Sequence, residues 1–126
     1  MHRHYIAPDN LVCCSVAEID GHIAGFQTLM WPDEMGQPFP KGWAVIASFV
    51  SLDAAGQGIG RALFAATKAS ALAANVHTID ATIRADNLGG LAYYQSLGFT
   101  DYDILRNVPL RDGNRVDRIR KKLAIT

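Results

Sequence analysis

Residues Ala55 to Arg61 read AGQGIGR, with glycine at positions 56, 58 and 60. The segment before them, WAVIASFVSL (43–52), is almost continuously apolar, and the one after them, ALFAATKASALAA (62–74), is rich in alanine. A strand hands over to a helix here, and the chain gives up side chains at three alternate positions as it does so. Each glycine sacrifices conformational entropy and packing, so the spacing makes sense where something must approach the main chain closely. A helix N-terminus supplies unpaired N–H groups and the positive end of the helix dipole, which suit a phosphate. The amides of Gly56 to Arg61 could wrap a diphosphate, with the Arg61 cation beside it. A tight strand-to-helix turn with no ligand is the competing reading. Two common phosphate loops do not fit. The P-loop needs Lys and then Ser or Thr after its last glycine, where this chain has Arg61-Ala62. The dinucleotide fingerprint G-x-G-x-x-G meets Arg61 or Leu63 in its last place.

Outward from the glycines, Ile59, Leu63, Ala66, Ser70 and Ala73 recur at helical spacing, which predicts a helix over about residues 58–74. HTIDATI (77–83) reads as the next strand. Strand, helix and strand make a βαβ unit, so the two strands are expected parallel, joined by a right-handed crossover. Upstream, LVCCSVAEIDGHIAGFQTLMW (11–31) reads as two strands about Asp20-Gly21, a dipeptide suited to a type I′ turn. PDEMGQPFPKG (32–42) carries three prolines and two glycines and reads as a loop. Downstream, DNLGGLAYYQSLGF (86–99) is a short helix, capped by Asp86 or Asn87 and ended by Gly98 in the left-handed position. DYDILRNVPL (101–110) and RVDRIRKKLAI (115–125) form a last hairpin about Asp112-Gly113. The sum is an α+β fold of about six strands and two main helices.

The 126 residues suffice for a single domain over positions 1–126 with one core and no disulfide or metal to staple it. Twelve basic and twelve acidic residues cancel, so bulk charge points to neither nucleic acid nor an anionic membrane. The only cysteines, Cys13 and Cys14, are adjacent, which argues against a bridge and for a reducing, cytoplasmic setting. No Cys/His spacing suits zinc, so no metal is expected. No signal peptide and no apolar run of membrane-crossing length is evident.

A second constellation sharpens the reading. Asn87 and Tyr94 stand seven residues apart, two helical turns, and share a face with Gly90 and Leu91. Tyr93 points about 100° away, so one tyrosine can fill the core while the other faces a cleft. Together, FVSLDAAGQGIGRAL and NLGGLAYYQSLGF resemble the GCN5-related N-acetyltransferase (GNAT) superfamily over roughly residues 10–124. That family's motifs are Arg/Gln-x-x-Gly-x-Gly/Ala opening a long helix, then Asn on a short helix, a Tyr and Gly-Phe. The resemblance implies an acyl-CoA N-acyltransferase-like fold: a mixed, mostly antiparallel sheet with a central splayed parallel strand pair, here residues 44–52 and 78–83. It implies acetyl-CoA as co-substrate, lying in the gap. The main chain at Phe49, Val50 and Leu52 would bond the pantetheine arm, and the Val50 amide would polarise the thioester carbonyl. Gly56, Gln57, Gly58, Gly60 and Arg61 would hold the diphosphate, and Asn87 the coenzyme arm. Tyr94 would be the general acid, since a phenol with a pKa of about 10 keeps its proton at neutral pH. The acceptor would be a primary amine of a small molecule, amino acid or peptide, attacking the thioester directly.

The chain departs from the family pattern in three ways. Ala55 stands where the phosphate motif begins with Arg or Gln. WAVIASFV holds no carboxylate to serve as general base; Asp80 and His77 lie on the partner strand. Only MHRHYIAPDN precedes the first hairpin, so the expectation is that the family's N-terminal strand and helices are missing or shortened, through truncation or in a reduced member. An unpaired edge at residues 11–19 follows, and with it the expectation of a homodimer. The missing base leaves a second reading open, a coenzyme-A-binding module of the same fold with weak or no catalysis. In WPDEMGQPFPKGW (31–43), the side chains of Trp31, Phe39 and Trp43 are candidate apolar contacts for the acceptor, and Asp33 or Glu34 could draw a cation.

Overall fold

Asp20 and Gly21 both take positive φ, 52° and 80°, and so turn β1 (Leu11–Ile19) back into β2 (His22–Met30) as a type I′ pair should. β3 (Trp43–Val50), α1 (Ile59–Ala73) and β4 (Thr78–Arg84) make the expected crossover unit. α2 (Leu88–Ser96) leads into β5 (Thr100–Pro109) and β6 (Arg115–Ala124), which turn about Gly113 at φ 88°. The computed structural model describes residues 10–32, 39–51 and 58–126. Leu52, Ala55, Gly56, Gln57, Asp33 and Glu34 lie outside the described residues.

The six strands form one sheet in the order β1-β2-β3-β4-β6-β5, antiparallel everywhere except between β3 and β4. That parallel pair is short. Trp43 pairs with Thr78, Ala44 with Ile79 and Val45 with Asp80, and there the pairing stops. β3 runs on to Val50 against β2, and β4 to Arg84 against β6. The expected splay is thus present, and it separates residues 46–50 from residues 81–84.

Both helices cover one face of the sheet. Ile79, Ala81 and Ile83 of β4 and Ala44 and Ile46 of β3 pack there against Phe64 and Ala71 of α1 and Tyr94 of α2. The Phe99 ring ties the two helices together, 5.8 Å from Phe64 and 5.2 Å from Tyr94. α1 buries Ile59, Leu63, Phe64, Thr67 and Ala71, not the stripe through Ala66 and Ala73 that the spacing suggested. Alanine on every side gives this helix little contrast, and the Phe64 ring decides its rotation. The other sheet face leaves Val16, Phe26 and Phe49 substantially exposed.

α2 is short and well terminated. The Asn87 side chain accepts from the Gly90 amide at 3.0 Å, which selects Asn87 over Asp86 as the cap. At its end Gly98 takes φ 102°, its amide bonds to Gln95 and the Phe99 amide to Tyr94, a Schellman closure. No described helix is long and apolar enough to cross a membrane, and no group of metal-ligating side chains occurs among the described residues.

Candidate active site

Where β3 and β4 part, a cavity of about 580 Å³ opens between them. Ser48, Phe49 and Val50 form one wall and Thr82, Ile83 and Arg84 the other, while Asn87, Tyr93 and Tyr94 close it from α2. The sheet pleat assigns these groups to two sides. Ser48 and Val50 share the helix-covered face with Ile46, whereas Phe49 and Thr82 share the opposite one. The gap therefore passes through the sheet.

Backbone alternation adds donors. The Ser51 amide bonds to the Ala24 carbonyl at 2.7 Å, and hydrogen-bonded pairs recur every second residue along an antiparallel ladder. The amides of Ser51 and Phe49 therefore face β2, and those of Ser48 and Val50 face the gap.

A chain of hydrogen bonds runs along the helix side. Gln27, fully buried on β2, donates through Nε2 to Ser48 Oγ at 2.8 Å and to the Tyr93 hydroxyl at 3.0 Å. Tyr93 donates onward to the Gly60 carbonyl at 2.7 Å. Ser48 Oγ lies 2.7 Å from the Tyr94 hydroxyl. With Gln27 donating to it, Ser48 can give its own proton to the Tyr94 oxygen, which leaves the phenolic proton of Tyr94 free for the cavity. Burial pushes the Tyr94 pKa up to about 12, against the opposing Ser48 hydrogen bond and with a smaller push from Tyr93. Tyr93 is also raised by burial, opposed by its bond from Gln27. The two tyrosines thus divide the work differently from the simple core-or-cleft alternative: both line the cavity, and Tyr93 also pins α2 to the start of α1.

At that start, Gly58 takes φ 77° and supplies no side-chain cap. The first helical bond comes from the Ala62 amide, 3.1 Å from the Gly58 carbonyl. The amides of Ile59, Gly60 and Arg61 precede it and have no acceptor within the helix, and the Arg61 side chain is exposed. Such an end fits an anion. Gly60 has a packing reason as well: a Cβ there would lie 2.6 Å from the Tyr93 ring. Gly90 likewise makes room, since a Cβ would lie 2.7 Å from Asn87 Nδ2.

Neither Asp80 on β4 nor His77 just before it lines the gap. Asp80 is buried on the far face, where it accepts from Tyr102 and, at 2.9 Å, from Thr82, with Arg120 at 3.8 Å. His77 lies at the paired end of β4, its Nδ1 2.8 Å from Thr126 Oγ1. The aromatic residues considered for the acceptor also sit elsewhere. Phe39 and Trp43 pack against each other at a 45° tilt and gather with Tyr102 about the Arg120 and Lys122 cations, and Trp31 packs on the main core. Gln27 and Ser48 escaped the reading of the sequence, yet a signal existed. Both are polar residues in the buried phase of their strands, and they are direct cross-strand partners.

A cleft between diverging parallel strands, with an uncapped helix start and a buried phenol near it, is an arrangement that acyl transfer from a coenzyme A thioester could use. The model of the Acetyltransferase (GNAT) family matches residues 1–99, and the chain belongs to that family. Its activity is acetyl-CoA-dependent N-acetyl transfer, with acetyl-CoA as co-substrate. Among solved structures, the ribosomal-protein-alanine N-acetyltransferase of Brucella melitensis is 27% identical, with a TM-score of 0.75 over 88% of this chain and 67% of that one. The ribosomal-protein-S18-alanine N-acetyltransferase of Escherichia coli is 28% identical, with a TM-score of 0.74 over 95% and 72%. The Salmonella typhimurium protein yncA, solved with acetyl-CoA, shares the fold at 22% identity and a TM-score of 0.76 over 90% and 64%. No curated protein matches the chain.

Proposed function

We propose that this chain acetylates a primary amine by direct attack on acetyl-CoA, with Tyr94 as the proton donor to the departing sulfur. The observation that carries the reading is the Tyr94 phenol at the cavity wall, kept protonated by its burial and held by Ser48, which Gln27 supports in turn. The C–N bond forms as the C–S bond breaks, the thiolate takes the Tyr94 proton, the acceptor nitrogen loses its proton to water, and the Tyr94 phenolate regains a proton from solvent. The Val50 amide, turned into the gap, polarises the thioester carbonyl. The pantetheine arm follows β3 past Phe49 and Val50 towards Leu52, with Asn87 on its other side. Gly56 to Arg61 hold the diphosphate through main-chain amides and the Arg61 cation. The coenzyme thus occupies the helix side, and the amine enters from the opposite face past the stacked Phe26 and Phe49 rings, 5.6 Å apart.

Two relatives named as ribosomal-protein-alanine and ribosomal-protein-S18-alanine N-acetyltransferases support peptide amines as acceptors beside small amines and amino acids. The β1 edge supports a homodimer. Free-thiol release from acetyl-CoA with a panel of amines tests the function, alongside calorimetry of coenzyme A. Thiol release that depends on the amine is expected. Coenzyme binding with no release from any amine would replace the enzyme by a binding module.

A further inference from the structure

Several cations on the strands beside the gap have an acid of their own. Arg84 lies fork-to-fork on Asp86, with Nε at 3.0 Å and Nη2 at 2.8 Å. Arg120 is held by Asp80 at 3.8 Å and Asp103 at 3.5 Å, Lys121 by Asp101, and Arg106 by Asp117 at 3.3 Å. Arg118 breaks the pattern. It is half-buried and lines the cavity, no described carboxylate pairs with it, and its buried Nε meets no acceptor among the described residues. Leaving a charged donor buried and unmet is costly, so a partner for it is expected.

Its position says which reactant would bring that partner. Arg118 is the cross-strand partner of Arg84, and Arg120 that of Thr82. All four therefore stand on the sheet face away from the helices, because residues directly opposite on neighbouring strands point the same way. The uncapped start of α1 lies on the other face. The coenzyme diphosphate has its donors there, and Arg118 belongs to the side from which the amine arrives. A guanidinium fork matches a carboxylate through two parallel hydrogen bonds, and one unbalanced positive charge matches a monoanion. The neighbours of Arg118 on this face are Phe49, the Thr82 hydroxyl, and the Arg84 and Arg120 guanidiniums, each of which already has a carboxylate.

We propose that Arg118 receives a carboxylate of the acceptor, so that the preferred substrate is a small amine bearing a carboxylate, of the amino-acid type. The inference rests on the cavity being the transfer site, and the test separates the two. Thiol release is measured with matched acceptors: an amino acid, its primary amide and the amine lacking the carboxyl group. The wild-type protein should prefer the acid over the other two by about 10- to 100-fold in kcat/KM. Arg118→Gln should remove that preference through the acid alone, leaving the amide rate and the KM for acetyl-CoA unchanged. Arg118→Lys keeps the charge without the fork and should retain part of the preference, and it serves as the test should the Gln variant fail to fold. Equal wild-type rates on acid and amide would overturn the proposal, as would an equal loss on both in Arg118→Gln. If no amine releases thiol, calorimetry of the acid and amide against coenzyme-A-saturated protein decides. Acid-selective binding lost in Arg118→Gln supports the carboxylate site while the transfer reading falls, and its absence sinks the carboxylate site.

Discussion

Tyr94 becomes a useful acid through what surrounds it. A free phenol already holds its proton at neutral pH, and burial raises the Tyr94 pKa further, to about 12. Tyr94→Phe keeps the ring that packs on Phe99 and loses only the proton. It should lower kcat by about 10²- to 10⁴-fold, with coenzyme affinity by calorimetry unchanged; an unaltered kcat would exclude Tyr94 as the donor. The raised pKa fixes the pH dependence. Tyr94 is protonated across the working range, so kcat should rise with pH as the acceptor ammonium deprotonates and show no falling limb below about pH 10. The stability gained by keeping this phenol neutral is fully present below its unfolded pKa of about 10 and is lost as pH rises through about 12. A falling limb near neutrality in the pH–rate profile would assign the acid to another group. Ser48→Ala tests the support behind Tyr94. It strands one Gln27 proton and the Tyr94 oxygen, so it should cost about 1–3 kcal/mol in chemical denaturation. It should also lower kcat more than it changes KM, and Ser48→Thr, which restores a hydroxyl, should recover both.

The glycines at the strand-to-helix handover divide their reasons at the level of the element. Gly58 is a conformational requirement. It sits at φ 77°, and a Cβ added there would meet nothing within 4 Å, so Gly58→Ala makes no clash and should cost about 1–2 kcal/mol of unfolding free energy. Gly60 is a packing requirement. A methyl there displaces a Tyr93 ring whose hydroxyl is bonded to both Gly60 and Gln27, so Gly60→Ala should cost about 1–3 kcal/mol and weaken coenzyme binding as well. Stability falling at Gly58 but not at Gly60 would show that the Tyr93 contact is dispensable. The same contrast explains what was legible in advance. Asp20-Gly21, Asp112-Gly113 and Gly98 could be read because positive φ has a residue signature. The rotation of α1 could not, since Ala66 and Ala71 are the same residue on opposite sides of the waterline. That Tyr93 lies beneath Gly60 was hidden too, because a glycine announces free space and not what fills it.

At the scale of the molecule, the site depends on contacts between residues far apart in the chain. Gln27 meets Ser48 across one strand ladder and Tyr93 from another element altogether. Strand alternation showed which residues share a face, but not that β3 and β4 part after Val45. The family resemblance supplied the splay, and Ser48 acquires its role from that divergence. The sheet also has two unlike edges. β5 carries Asp101, Asp103, Arg106 and Pro109, charges and a proline that discourage pairing with another chain. β1, at the other end of the sheet order, has Glu18 as its one charged side chain and no proline, and its register is regular from Cys13 to Ala17. Val16 stands exposed near the middle of that regular stretch. Among the described residues no strand pairs with the outer side of β1, and pairing with its copy about a two-fold axis would satisfy the backbone groups there and bring the two Val16 side chains near each other. Sedimentation at micromolar protein should give the mass of a dimer. Val16→Lys, placing like charges on neighbouring copies of an already exposed position, should give a monomer with an unchanged circular dichroism spectrum. A wild-type monomer at that concentration would mean that the β1 edge is covered or tolerated in some other way, and the dimer would be abandoned.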